Sequence, residues 1–166
     1  MRIEANYKNL ERASSWIVNA DAKTSFILAF NGVVFAYLMS KGPDIKAILF
    51  KQWTAWQSII LLAVSVLFLI FFILSIRNCF RAINPSIDGQ IPSVFYFGTI
   101  QSLGLEKFRQ KIKSLDEEGI EEELINQTFV VSTIAYKKFT SARRALNHLM
   151  LSLLFWVGVL ITLNFV

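Results

Sequence analysis

Three long apolar stretches, joined by segments in which polar and apolar positions alternate with a helical period, set the architecture of this chain. Residues 53–76 hold no charged side chain over 24 positions. At 1.5 Å rise per residue such a helix is about 36 Å long, enough to cross a hydrocarbon core of about 30 Å with some tilt. A helix apolar on every side, if buried in a water-soluble protein, needs a large domain around it, and 166 residues have no such mass to offer. Residues 24–40 are uncharged for 17 positions between Lys23 and Lys41, whose long side chains reach an interface by snorkelling. Residues 149–166 are uncharged throughout and complete a span with Asn147 and His148 at the boundary. Three crossings are expected, at 24–40, 53–76 and 146–166. Since the first apolar run begins only at residue 24, it reads as a signal anchor rather than a cleaved leader.

Helical periodicity continues outside the spans. Ile3, Tyr7, Leu10, Ala13, Ile17 and Ala20 recur on one side of residues 1–23, with no Pro or Gly before Gly32. This predicts a cytoplasmic helix that projects roughly 30 Å and runs directly into the first span. Leu124, Val131, Ala135, Phe139, Ala142, Leu146 and Leu149 step by three, four or seven, and neither Gly nor Pro occurs between Glu121 and Val157. They predict a second long helix entering the last span, and the acidic cluster around 116–123 suits the positive end of its dipole. Leu105, Phe108, Ile112 and Leu115 predict a short amphipathic helix packed against these extensions, with Gly119 as the turn. Asn84-Pro85, Asp88-Gly89 and Pro92 break the pattern between 77 and 102, which reads as loop or short helix. The expected fold is an all-α integral membrane protein. Three transmembrane helices carry cytoplasmic helical extensions that form a small stalk or bundle, 77–145 being the cytoplasmic helical region of a single unit.

Charge orients this arrangement. Of 17 Lys and Arg residues, fourteen lie in 1–23 and 77–148 and three (Lys41, Lys46, Lys51) in the connection between the first two spans. With three crossings the N-terminus and 77–148 share a side, and the positive-inside rule makes that side the cytoplasm. The net charge of +5 does not require a nucleic acid polymer as partner. The basic residues gather at bilayer boundaries, where phospholipid suffices, and no DNA- or RNA-reading motif accompanies them. The single Cys79 makes no internal disulfide, in keeping with a reducing compartment.

Enzyme chemistry finds little support. One His and one Cys give no zinc cluster and no Cys–His nucleophile pair, and no Walker loop, GxGxxG or GxSxG occurs. A non-enzyme without metal or cofactor is expected, and the carboxylates of 116–123 read as a solvated helix start. Three features carry more. Asp21 and Lys23 flank the mouth of the first span, where charges are costly unless paired or interfacial. The cluster Phe95-Tyr96-Phe97-Gly98 reads as an interface anchor, as core packing or as a base-stacking surface. Tyr136-Lys137-Lys138-Phe139 with Arg143-Arg144 reads as phospholipid contact or as a phosphate-binding patch.

In order along the chain these features resemble a known family. Asp21 and Lys23 lead a first span containing Asn31-Gly32, and Tyr96-Phe97-Gly98-Thr99-Ile100 follows the second span. A long helix with Ile125, Gln127, Ser132, Ile134, Lys138 and Phe139 then runs into the final span. The chain is similar over about residues 8–160 to the transmembrane effectors of Pycsar systems, the bacterial pyrimidine-cyclase antiphage defences. The resemblance implies an effector that senses cyclic CMP or cyclic UMP in the cytoplasm and impairs the inner membrane. Such a ligand needs a cation for its phosphate and an aromatic face for its base. Tyr96 and Phe97 are the candidates for the base, Lys137, Lys138 and Arg144 for the phosphate, and Asp21, Lys23, Asn31 and Gly98 for structural or gating roles. Two other readings remain open: a helical scaffold or accessory subunit of a membrane complex, and a small constitutive channel. The channel is the weaker, because Asn31, Thr54, Gln57, Ser65 and Asn164 are few polar residues to line a resting water path. Narrow apolar stripes along 3–20 and 124–142 lead to a homo-oligomer.

The basic asymmetry yields a test of orientation. Reporter fusions after Lys8 and after Leu115 are both expected to read as cytoplasmic; a periplasmic signal from either overturns the orientation.

Overall fold

A computed structural model describes residues 2–40, 55–85 and 93–164, and among these every element is an α-helix: α1 (Arg2–Ser40), α2 (Ala55–Ile83), α3 (Phe97–Ser114) and α4 (Glu117–Asn164). Lys41, Lys46, Lys51, Trp53, Thr54, Asp88, Gly89 and Pro92 lie outside the described residues. Helices α1, α2 and α4 are each long and apolar enough to cross a membrane.

The two longest helices bury residues on a period of seven. On α1, Ala13, Ala20 and Ile27 are buried, as are Thr24 and Asn31, while Ile3, Leu10 and Ile17 are partly covered. On α4, Leu124, Val131, Lys138, Ala145, Ser152 and Val159 form one such series and Ala135, Ala142 and Leu149 a second. Seven residues bring a helix back to nearly the same face, so each series is a packing seam. This differs from the expected stripes at specific positions. Tyr7 and Leu146 are exposed, whereas the polar Gln127 and Lys138 are buried. Apolar spacing alone passes over polar residues that stand in the seam's register.

The ends of the elements have local causes. Helix α2 runs seven residues beyond the expected stop at 76, because Asn78, Cys79 and Ala82 are buried and hold that part against its neighbours. The amide of Asn84 closes the last turn on the Phe80 carbonyl at 3.0 Å, and Pro85 cannot continue the ladder. Helix α4 begins at Glu117, where Asp116 Oδ1 accepts from the Gly119 amide at 2.9 Å. Gly119 is therefore inside the first turn of α4 and not the turn before it; Asp116 is the N-cap that fixes the start. Helix α3 starts at Phe97, eight residues earlier than the apolar stripe suggests, and is kinked at Gly104. The kink needs φ +70° with ψ 165°, a region closed to side-chain-bearing residues. No residue of α3 is buried, so its stripe does not pack as expected: Leu105 and Ile112 are exposed.

By contact the chain divides into two compact units. The first comprises residues 1–21 and 85–139, the second 22–84 and 140–166. In the second unit many large side chains face outward while small and polar ones are buried, although Phe68, Phe72, Ile27 and Leu149 are buried too. Phe26, Leu62 and Leu154 are 74%, 67% and 65% exposed, whereas Thr24, Asn31, Ser75, Cys79, Ala145 and Ser152 are buried. This inversion is what a hydrocarbon solvent allows: lipid covers the bulky surface, and small residues let helices approach closely. Asn31 Nδ2 donates to the Ile27 carbonyl at 2.8 Å and to Ser75 Oγ at 3.1 Å, and Ser75 Oγ donates to the Ala145 carbonyl at 3.0 Å. One hydroxyl thereby ties α1, α2 and α4 together. Ile27, Cys79, Ala145 and Leu149 pack around it. Asn78 Nδ2 and His148 Nδ1 lie 3.2 Å apart, and the His148 ring stands 6.0 Å from that of Phe71. Trp156 packs against Tyr37 and Phe68, and Phe155 stacks on Phe71.

Removing the shared hydroxyl breaks two interhelical bonds in the most buried part of the unit. Ser75→Ala is expected to destabilise the folded protein by about 0.6–1.7 kcal/mol in a detergent unfolding titration, against little change for Ser65→Ala, which has no such role. Equal stability of the two variants overturns the role of Ser75.

Candidate functional site

The first unit gathers the first half of α1, the turn 93–96, α3 and the first half of α4, and holds most of the residues singled out by sequence. Its buried interior is small: Ala13, Ala20, Val94, Leu124, Val131 and Ala135. Polar bonds complete it at three levels of α4. Asn6 Nδ2 donates to Glu121 Oε1 at 3.3 Å, the Val94 amide donates to Glu123 Oε2 at 3.0 Å, and Lys138 Nζ donates to Asp21 Oδ1 at 2.5 Å. The first and last join α1 to α4; the second docks the 93–96 turn.

That turn is built locally. Ser93 and Val94 are buried, Ser93 Oγ accepts from the Phe95 amide at 3.2 Å, and the Ser93 carbonyl accepts from the Tyr96 amide at 3.0 Å. Tyr96 then caps α3 in extended conformation, its carbonyl taking the Ile100 amide at 3.0 Å. The rings of Tyr96 and Phe97 pack with centroids 4.7 Å apart at 55°. Gly98 makes this possible, since a Cβ there would fall 2.5 Å from Tyr96 Cε1. Phe97 is 77% exposed, so the pair presents an open aromatic face rather than a filled core. A stacking surface needs such a face.

The ion pair has a different character. Lys138 stands in the α4 seam, seven residues after Val131 and seven before Ala145, with its side chain only 10% exposed. Asp21 follows the buried Ala20 on α1, and its side chain is 46% exposed. A cation in a seam position is tolerated only with a counter-ion, and Asp21 supplies it.

The structure separates the sequence-predicted residues into groups. Tyr96, Phe97 and Gly98 form one, at the level of Glu123. Lys137 and Lys138 start fourteen and fifteen residues further along α4, about 21 Å by helical rise. A single nucleotide held by both groups has to bridge that length. Lys137 is exposed and Lys138 turned into the seam, so the expected basic patch is not one face. Arg143 and Arg144 are exposed and belong to the second unit's part of α4, as do Lys23 and the buried Asn31 to that part of α1. Sequence reasoning missed Glu123 as the anchor of the aromatic turn. It also missed Gln127, buried with its Oε1 lacking a hydrogen-bond partner. The signal for the Asp21–Lys138 pair was present: extending the Leu124–Val131 step by seven predicts that Lys138 is buried. Among the described residues no group of His, Cys, Asp and Glu is arranged to hold a metal.

Comparison with known proteins adds a family. The model of the Pycsar effector protein domain matches residues 6–163. The Pycsar effector protein GmPycTM of Gulbenkiania mobilis is 28% identical over 175 residues, covering 93% of this chain and 89% of that protein. No solved structure matches the chain.

Proposed function

The chain belongs to the Pycsar effector family, and on that premise we propose that it is a membrane effector of bacterial antiphage defence that responds to cyclic CMP or cyclic UMP by impairing the inner membrane. The family match across nearly the whole chain carries this reading. Two features of the molecule support it. First, α1 and α4 each contribute to both units without a break, so that any ligand-driven change in their first halves acts on helices that continue as membrane spans. Secondly, the first unit offers an open aromatic pair at Tyr96 and Phe97 that suits a base and, about 21 Å further along α4 and beyond the reach of one mononucleotide in the same chain, cations at Lys137 and Lys138 that suit one phosphate charge. Arg144 contributes to orientation at the lipid surface rather than to the ligand.

The effector acts as a homo-oligomer. Phe97, Leu105, Ile125, Phe129 and Tyr136 are each more than half exposed in the first unit, where hydrocarbon is not available to cover them. Exposed apolar side chains in water gain by burial against a second copy of the chain.

Calorimetry on the full chain in nanodiscs is expected to detect binding of at least one of the two cyclic pyrimidine nucleotides. No binding of either nucleotide by the wild type refutes the sensor function. Native mass measurement of the same sample is expected to give more than one copy per particle; a monomer with and without nucleotide removes the oligomer.

A further inference from the structure

Among the described residues Lys138 is the only buried charged side chain, and its counter-ion is half in water. The two partners are therefore unequal. Moving Asp21 away returns a carboxylate to solvent at small cost, whereas Lys138 left alone is an uncompensated charge in a packed seam, which is strongly unfavourable. What the site demands is an anion at Lys138 Nζ, and a phosphodiester meets that demand as well as a carboxylate does. The pair also occupies a sensitive place: Asp21 is the last residue that α1 gives to the first unit, and Lys138 the penultimate one from α4.

We propose that Lys138 is an anion-exchange site, occupied by Asp21 in the resting protein and by the phosphate of the cyclic nucleotide in the activated one. This rests on the nucleotide-sensing reading above and assigns its phosphate contact. Ligand and Asp21 compete for one ammonium group. Binding leaves Lys138 compensated and releases the turn of α1 around Asp21, the turn that leads into the first span. Lys137, exposed on the neighbouring face, is not required for the exchange.

The competing account is a structural bridge that fixes the register of α1 against α4, a common use of a lone polar residue in a seam. The two accounts differ in sign. Under exchange, Asp21→Asn removes a competitor and tightens nucleotide binding several-fold, while Lys138→Met removes the acceptor and weakens it by roughly ten- to a hundredfold. A structural bridge moves both variants in the same direction, or neither. The experiment is calorimetry of cyclic CMP and cyclic UMP on the full chain in nanodiscs, wild type and both variants, with helix content checked by circular dichroism. Opposite shifts establish the exchange; parallel or absent shifts, with the wild type binding normally, overturn it while leaving the sensor function intact. A wild type that binds neither nucleotide overturns both. If Lys138→Met does not fold, Asp21→Asn decides alone: unchanged or weakened affinity refutes the exchange. The reversed pair, Asp21→Lys with Lys138→Asp, is then expected to fold and to lose the nucleotide.

Discussion

Close approach of long helices through small and polar side chains is the constraint on which this structure depends. Three helices in hydrocarbon gain nothing from hiding large apolar groups from one another, since lipid receives those groups equally well. Contact has to come from van der Waals packing at short range and from hydrogen bonds that have no water to compete with them. The second unit is arranged accordingly: Ala145, Cys79 and Ser152 are buried, Phe26 and Leu62 face outward, and Ser75 links three helices through Asn31 and the Ala145 carbonyl. Much of the bulk that would fill the core of a soluble protein is on the outside, Phe68 and Phe72 being the buried exceptions.

The first unit is built on the same helices α1 and α4. Its interior is also built from alanines, with Leu124 and Val131 as the larger contributions, and so it buries little apolar area. Polar and charged bonds therefore matter more to its cohesion: Asn6 to Glu121, the Val94 amide to Glu123, and Lys138 to Asp21. Such bonds contribute modestly on a net basis and are expensive to leave half made. A small apolar interior completed by replaceable polar contacts suits the ligand-driven change that the proposed function requires. Removing or substituting one partner alters its balance, which a large packed core resists.

In the proposed function, coupling between ligand and membrane needs no separate device. A helix that continues from one unit into the other transmits displacement through its own backbone hydrogen bonds, and α1 and α4 both continue in this way. Any ligand can shift such an equilibrium only by its differential affinity for the two states. An anion that replaces Asp21 at Lys138 has that property, because it binds one arrangement of α1 and is excluded by the other.

The sequence by itself determined the class of this protein: uncharged runs at 24–40 and 53–76, helical periodicity without Gly or Pro, and the ordered motifs that point to the family. These are legible because helix formation and membrane affinity depend on local composition and spacing. It did not determine which face of each helix is buried where polar residues stand in the seam. Hydrophobicity does not mark Gln127 or Lys138 as core positions; the step of seven places Lys138 in the seam, but only the fold shows the partner, Asp21 more than a hundred residues away, that makes its burial possible. The division of the aromatic and basic candidates along α4, the docking of the 93–96 turn by Glu123, and the exposure of α3 were likewise decided by tertiary contacts. Spacing along a chain fixes which residues share a face; only the fold fixes what that face meets, and at Lys138 that difference separates a lipid-facing lysine from a buried cation that must always hold an anion.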